Sequence, residues 1–409
     1  MTTTPQPERQ ENPERLLPLI LAISGTGVLT FSLITPTLPD LAIELGVSRG
    51  AIGLVQGAIG IPGIFLAVFI GYLSDLKGRR FVAIGSLLIF GLAGSLGFIA
   101  RSFWPLIAVR ALQGVGTSGV LSLGVIVIGD LWPPGPRRRR AIALNGVGLT
   151  LTGVVAPVIG GALAEGGVFR PYLVFLIALP LAVWARQLPG RPGGPPPPAP
   201  LVHVRAMLGR MGQNASLSDY VGLMPFSVLM MLLVMGFGYT NTPLYLEGVF
   251  DVASTQRGLL IAVLSVGSSL GGLSSTRLIP RFSPSGSLSV SFATMTGAFV
   301  MLALAPNLVV VGVALFVAGL SFGSLFPVVQ GYVAEVAPTS ERGAAVGTWV
   351  SSVRLGQTIG PVASASILDA AGERTSYWTA AGLAAGVLVA TPRLRWQLKA
   401  RMHDAPVAG

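Results

Sequence analysis

Long apolar stretches separated by short polar ones recur along almost the whole chain. Each is close to the roughly 20 residues that an α-helix needs to cross about 30 Å of hydrocarbon. The alternating segments of about 10 residues that are typical of a membrane β-barrel do not occur. The pattern predicts an all-α membrane protein with twelve transmembrane helices, here named spans 1 to 12, at about 16–38, 50–73, 81–100, 104–129, 141–164, 172–185, 220–246, 257–278, 288–305, 308–334, 343–368 and 376–389.

A proline-rich segment interrupts this rhythm between spans 6 and 7. Residues 187–219 contain the run Gly-Gly-Pro-Pro-Pro-Pro-Ala-Pro, which cannot continue a helix and favours an extended chain. We therefore predict a cytoplasmic linker that separates two six-helix halves, 15–186 and 220–392. Residues 1–14 are predicted to be a disordered tail, and residues 393–409 a cytoplasmic tail.

The two halves also resemble each other. Span 5 contains Gly153-Val-Val-Ala-Pro157, and span 11 contains Gly356-Gln-Thr-Ile-Gly-Pro361. A parallel repeat of two helical bundles places the substrate site between the bundles, near the middle of the membrane. We expect the functional site there.

Composition supports the membrane class and excludes several kinds of site. The chain of 409 residues is 52% hydrophobic and only 11% charged, whereas a soluble domain carries about 25% charged residues. There are no cysteines and only two histidines. Disulfides and thiolate metal sites are therefore excluded, and neither a metal nor a cofactor is expected.

The net charge of +11 follows from topology and does not indicate a nucleic-acid partner. With the amino terminus in the cytoplasm, most of the 27 lysines and arginines lie on the cytoplasmic side of the membrane. That bias is the positive-inside pattern. We predict a multi-pass protein of the inner cell membrane with both termini cytoplasmic. Two arginines, Arg110 and Arg354, lie inside spans.

The densest charge lies in the short loop between spans 2 and 3. Its sequence, Gly-Tyr-Leu-Ser-Asp-Leu-Lys-Gly-Arg-Arg, must lie in water because lipid does not accommodate such charge. The order of Gly71, Asp75, Gly78, Arg79 and Arg80 resembles the loop between helices 2 and 3 of major facilitator superfamily transporters. The two glycines allow the helices and the loop to approach closely.

This resemblance implies a gate at the cytoplasmic face. Asp75 and Arg79 lie in the loop, and Asp130 ends span 4 on the same side. In the family these charges form a cluster that closes the cytoplasmic face in the outward-open state. The alternative is that the charges only set topology, which applies best to Arg80 and its neighbour Lys77.

Proton coupling is expected at Arg110 and Asp40. Arg110-Ala-Leu-Gln-Gly114 in span 4 resembles the arginine-glycine motif of the family, in which the arginine is associated with proton transfer by tuning a nearby acid. No Asp or Glu lies clearly at the centre of a span. Asp40, which follows the break at Pro39, is the acid predicted to reach the cavity. Alternatively, Arg110 extends to the membrane surface and Asp40 is a solvated loop acid.

Span 5 contains a pattern of small residues and proline. Gly153, Ala156, Pro157, Gly160 and Gly161 resemble the antiporter motif of drug–proton exporters with twelve helices, although the motif prefers glycine at the position of Ala156. Small residues allow close helix contact, and proline bends the helix. The resemblance implies export rather than uptake.

Arg354 lies near the middle of span 11, where a cation is costly unless it is paired or faces water. We expect it to contact an anionic substrate group or a carboxylate. Alternatively, carbonyls loosened by Pro361 satisfy it. Other polar side chains are predicted to line the substrate cavity, although each could instead bond a neighbouring helix: Gln56, Gln113, Asn145, Tyr239, Asn241 and Gln357.

The sequence therefore predicts a monomeric transporter, not an enzyme, that expels small molecules in exchange for protons by alternating access. No nucleotide-binding motif of the form G-x-x-x-x-G-K-[ST] occurs, so we do not expect transport to be powered directly by ATP hydrolysis. One alternative keeps the fold but transports organic anions, sugars or amino-acid-like metabolites. A second is a membrane sensor that does not transport.

Overall fold

The computed structural model describes residues 13–190, 224–278, 284–336 and 342–404. Most of the predicted tail 1–14 and of the predicted linker 187–219 lies outside these ranges. Within them the secondary structure is helical, and these ranges contain no strand. The predicted all-α class is confirmed.

The first half contains spans 1 to 6 in the predicted order, and three of these spans consist of more than one helical segment. Span 1 is broken after Ser32 and resumes at Leu38, because Pro36 and Pro39 lack the N–H that an uninterrupted helix requires. The segments are Leu17–Ser32, Thr35–Thr37 (3₁₀) and Leu38–Leu45 for span 1, Arg49–Gly57 and Gly60–Lys77 for span 2, Arg79–Leu96 for span 3, Phe103–Leu131 for span 4, Pro136–Glu165 for span 5, and Arg170–Ile177 (3₁₀), Ala178–Trp184 and Ala185–Gln187 (3₁₀) for span 6.

The second half contains spans 7 to 12. Span 7 begins as an α-helix at residue 224 and becomes a π-helix over Leu232–Thr240 before the α-helix Asn241–Phe250. Spans 8 to 12 are Ser254–Leu278, Pro284–Leu304, Leu308–Val336, Arg342–Ala371 and Glu373–Asp404. Span 12 continues beyond its predicted end near residue 389 into the predicted tail, because hydropathy marks the edge of the lipid and not the end of the helix.

Nine of these stretches, spans 1 to 5 and 7 to 10, are long and apolar enough to cross a membrane when the described residues are searched. Buried apolar side chains form two separate clusters. Phe90 and Phe175 meet edge to face in the first cluster with ring centroids 5.4 Å apart. Phe299 and Tyr377 lie 6.0 Å apart in the second. Each half therefore has its own core, and the core of the first half also includes Leu244, Ala365 and Leu368 of the second half.

The halves meet along two seams, where span 2 packs on span 11 and span 5 packs on span 8. The backbones approach closely there. A β-carbon placed on Gly53 would lie 2.4 Å from the carbonyl oxygen of Pro361, and one placed on Gly258 would lie 2.3 Å from that of Pro157. Such contacts exclude any side chain and require glycine.

The helices end at two opposite faces of the molecule, the basic-loop end and the far end. The basic-loop end contains residues 75–80 and 130–140, where span 2 meets span 3 and span 4 meets span 5. The far end contains residues 40–49, 165–170, 247–257 and 369–374, where span 1 meets span 2, span 5 meets span 6, span 7 meets span 8 and span 11 meets span 12.

Candidate gates and central site

Arg79 bridges two carboxylates at the basic-loop end. Its Nε donates to Asp130 Oδ2 at 2.7 Å, and its Nη1 donates to Asp75 Oδ1 and to Ser74 Oγ, the latter at 3.0 Å. Gly78 makes the turn with φ at +95°, a conformation that glycine adopts readily. The Arg79 side chain is 11% exposed, so this cluster ties spans 2, 3 and 4 together in a partly desolvated setting.

The other residues of the loop motif have different positions. Arg80 Nε donates to the carbonyl of Leu188 at 2.7 Å, so Arg80 links span 3 to the end of span 6 instead of joining the cluster. Gly71 lies within the helix of span 2. In the described ranges, all ion pairs of the cluster are internal to the first half.

The far end carries ion pairs that join the two halves. Nη2 of Arg257 lies 2.7 and 2.6 Å from the two carboxylate oxygens of Asp40. Arg49 donates to Glu247 at 2.5 Å and to Glu373 at 2.6 Å. Arg49 and Asp40 belong to the first half, and their partners belong to the second. These interactions hold the halves together at the far end.

Sequence reasoning missed this set of pairs. One sequence feature could have predicted these ion pairs: opposite charges lie in short loops that are predicted to be on the same face of the membrane. The signal does not specify partners, because Arg49 is separated from Glu247 by 198 residues and from Glu373 by 324. Asp40, predicted as a coupling acid, lies in the first turn of the helix that restarts at Leu38, with 35% of its side chain exposed.

Arg110 is fully buried and makes hydrogen bonds to neutral groups. It donates to the carbonyl oxygens of Val55 and Thr30 at 3.0 and 2.9 Å, and to the amide oxygens of Gln113 and Gln56 at 2.7 and 3.3 Å. These oxygens compensate for the loss of solvent around the guanidinium. No carboxylate in the described part of the chain contacts Arg110, so the acid implied by the resemblance is not among its neighbours.

Four polar residues predicted to line the cavity are packed inside single halves. Gln56 and Gln113 belong to the network around Arg110. Asn145 is buried near the basic-loop end of span 5, and Asn241 donates to the carbonyl of Ser364 at 3.0 Å within the second half. Each is at most 4% exposed. The structure therefore places them between neighbouring helices, which is the alternative interpretation of the sequence.

Arg354 lies between the two halves. Its Nη1 donates to Gln357 Oε1 at 3.0 Å. A β-carbon placed on Gly63 of span 2 would lie 3.2 Å from Arg354 Cδ, so the arginine reaches across to span 2 of the first half. Within the residues that the structure describes, no carboxylate pairs with Arg354. It presents a cation to the space between the halves.

The small residues of span 5 pack this helix between spans 1 and 8. A β-carbon on Gly160 would lie 1.8 Å from the carbonyl oxygen of Leu33, and one on Gly161 would lie 2.2 Å from that of Ser254. Ala156 is buried with 1% exposure. The glycines thus allow one helix to contact both its own half and the other half.

Farther along the same seam the packing is less tight. A β-carbon on Gly153 would lie 3.8 Å from Ser265 Oγ, an ordinary contact. Tyr239 of span 7 lies close to the same Ser265. Tyr239, Arg354 and Gln357 are therefore the predicted cavity residues that lie closest to the seams between the halves.

Comparison with known proteins gives the family. A family model described as Major Facilitator Superfamily matches residues 20–324 and 226–406. Multidrug resistance protein D of Escherichia coli K12 is 31% identical over 53% of this chain and 55% of its own length. Cephamycin export protein CmcT of Amycolatopsis lactamdurans is 34% identical over 40% of this chain and 34% of its own. The matched region thus spans about half or less of these relatives.

Solved structures show the same fold at low identity. A point mutant of the nucleoside transporter NupG superimposes with a TM-score of 0.78 at 14% identity and covers 92% of this chain and 99% of its own. A bacterial homologue of the human lysosomal transporter Spinster, in an inward-facing and occupied conformation, gives 0.75 at 17% identity and covers 94% and 98%. Similarity at this level extends to the fold alone.

Proposed function

This chain belongs to the Major Facilitator Superfamily, and from that premise we propose that it exports small molecules across the cell membrane by alternating access, in exchange for protons. The observation that carries the proposal is the asymmetry of contacts between the halves. Ion pairs join the halves at the far end, whereas the charge cluster at the basic-loop end is internal to the first half. A central site that is closed at one end is what alternating access requires.

Charge distribution orients this arrangement in the membrane. The arginine run 137–140 and the loop 75–80 both lie at the basic-loop end, which the positive-inside rule assigns to the cytoplasm. The far-end ion pairs then close the external face, and the site between the halves is reached from the cytoplasm. We take the functional unit to be a monomer in the inner membrane, since one chain supplies both halves of the site.

Export, rather than uptake, is supported by the relatives and by span 5. The relatives include a multidrug resistance protein, a cephamycin export protein and, at 28% identity over 38% of this chain, a bacillibactin exporter of Bacillus subtilis. Gly160 and Gly161 give span 5 the close contacts on both sides that the antiporter motif implies.

Asp40 and Arg257 are our proposed site of proton coupling. A proton on Asp40 removes the charge that holds Arg257, so proton binding favours the arrangement in which the halves separate at the external face. Re-formation of the pair displaces the proton. Arg110, surrounded by neutral acceptors, instead positions spans 1, 2 and 4.

An anionic substrate is a second candidate, and Arg354 favours it. Its guanidinium lies between the halves with a neutral hydrogen-bond partner, Gln357. A carboxylate or phosphate on the substrate would form charge-assisted hydrogen bonds with the remaining donors. This version keeps the same gates and changes only the class of molecule exported.

Proton flux triggered by substrate in proteoliposomes tests the proposal, with a panel of lipophilic cations and small organic anions. We expect flux that is lost in Asp40→Asn and retained in Glu44→Gln, an exposed acid at the same end. Flux with anions alone that is abolished in Arg354→Gln would establish the second candidate. Substrate binding without counterflow of protons for any compound would overturn the exchange mechanism.

A further inference from the structure

A cleft lies on the outside of the second half. Span 10 packs against span 8 and against span 9, while spans 8 and 9 make few contacts with each other. The gap between them holds a cavity of about 210 Å³. Its wall is rich in hydroxyl groups, which come from Ser274, Ser275, Ser287, Ser291, Ser321 and Ser324.

This cavity is separate from the site between the halves. Neither Arg354 nor Tyr239 is among its lining residues. Val290, which lines it, is 52% exposed, and Leu273, the neighbour of Ser274 in the chain, is 65% exposed. Large exposed apolar side chains on a membrane helix face lipid. The cleft therefore opens to the bilayer, and its position near the start of span 9 is on the side of the basic-loop end.

Three of these hydroxyl groups, on spans 8 and 10, offer acceptors rather than donors. A serine hydroxyl has one hydrogen to donate and two lone pairs. Ser274 and Ser275 donate to the carbonyls of Gly271 and Gly272 at 2.9 and 2.7 Å, and Ser321 donates to that of Val317 at 3.2 Å. Because the helix uses these hydrogens, the lone pairs remain available to a ligand that donates.

Ser287 is an independent indication of a ligand. Its side chain is 8% exposed at the cavity wall, and its Oγ has no hydrogen-bond partner among the described residues. A buried hydroxyl without a partner is unfavourable. None of the described residues that line the cavity is charged, so among them a ligand with a full charge would find no counter-ion.

We infer that this cleft binds an uncharged amphiphile that carries hydroxyl or amide N–H donors and enters from the bilayer. The donor group bonds to the serine oxygens, and its apolar part lies along Val290 toward the lipid. A membrane lipid with a free hydroxyl and an exported compound with the same groups share this chemistry.

Native mass spectrometry of the full chain in detergent tests the inference with dioleoylglycerol and its O-methyl ether, which lacks the donor. We expect the alcohol to bind the wild-type protein about tenfold more tightly than the ether. In Ser275→Ala/Ser287→Ala the two should bind equally. The control is Ser95→Ala, a serine of span 3 whose hydroxyl donates to the Leu92 carbonyl at 2.9 Å, and there the preference should persist.

Equal affinities in the wild-type protein, or a preference that survives the double substitution, would overturn the inference. The variants should have the same melting curve as the wild-type protein, so that a loss of binding is not caused by a loss of folding.

Two further measurements distinguish a membrane lipid from an exported compound as the ligand. A neutral lipid that copurifies with the wild-type protein and not with the double variant identifies the ligand as a membrane lipid. Faster efflux of a hydroxylated probe than of its ether by the wild-type protein, with the difference lost in the double variant, identifies a substrate. Binding is measured without transport, so the inference does not depend on the proposed export.

Discussion

Asp40 and Arg257 form an ion pair that spans 217 residues of sequence and joins the two halves of the protein. Both carboxylate oxygens lie within hydrogen-bond distance of one nitrogen, at 2.7 and 2.6 Å. Arg257 is 2% exposed, and its Nε and Nη1 are buried without partners in the described residues. The guanidinium thus depends on Asp40 for charge compensation, and it has that compensation only while the far end is closed.

Removal of one partner should open the far end. In Asp40→Asn the buried guanidinium of Arg257 loses its counter-charge, at a cost of about 1–3 kcal/mol given the partial exposure of Asp40. The chain has no cysteines, so spin labels can be attached at Glu44→Cys and Ala253→Cys without further changes. We expect the distance distribution between the labels to shift to longer values. The same labels in Asp251→Asn, an exposed far-end acid, should report no shift, and a distribution unchanged in Asp40→Asn would contradict the role of this pair.

The double substitution Asp40→Asn/Arg257→Gln separates charge pairing from simple loss of contacts. Two neutral amides leave no buried charge, so the pair should be less perturbed than either single variant. We expect a coupling free energy of about 1–3 kcal/mol between the two positions from thermal unfolding. Additive effects of the two single substitutions would show that they act independently.

At the basic-loop end, the resemblance implies that the charge cluster closes the cytoplasmic face in the outward-open state. Asp75→Asn leaves Arg79 with one of its two carboxylates, so it should shift the protein toward inward-facing arrangements. Transport should fall while expression stays near normal. Labels at Pro134→Cys in the first half and Gly331→Cys in the second measure this, since a β-carbon at Gly331 meets no atom within 4 Å. Arg80→Gln, which removes the bond to Leu188, is the control. Unchanged distances in Asp75→Asn would show that the cluster does not act as a gate.

The seam at span 5 should not accept side chains. Gly161→Val places atoms against the Ser254 carbonyl, where even a β-carbon would lie at 2.2 Å, so the helices must separate. We expect loss of transport and a lower melting temperature. Gly146→Ala in the same helix, with nothing within 4 Å of the added carbon, should be neutral or stabilising by about 0.5–1 kcal/mol. Full transport activity in Gly161→Val would show that spans 5 and 8 can move apart at little cost.

Arg110→Lys tests whether this arginine holds the first half together. Lysine keeps the charge but cannot reach four acceptors in one plane, so some of the oxygens of Val55, Thr30, Gln56 and Gln113 lose their donor. We expect stability to fall by about 1–3 kcal/mol, measured by thermal unfolding. Unchanged stability together with loss of proton flux would instead assign Arg110 to coupling.

The sequence determined the all-α class, the order of the spans and the loop from Asp75 to Arg79. These features depend on local properties, namely the length of apolar runs and residues four apart across one tight turn. The motif of span 5 is equally local, because small residues at fixed spacing share one helix face. The spacing of these small residues does not predict that they contact span 8.

Only the tertiary structure decided which residues meet across the two halves. Gln56, Gln113 and Asn241 are polar residues in apolar helices, and hydropathy does not tell whether such a residue faces a cavity or a neighbouring helix. Asp40, predicted as a coupling acid that reaches the cavity, has its partner 217 residues away. Partners this distant are brought together by the packing of the two halves, and no local pattern in the sequence specifies how the halves are oriented.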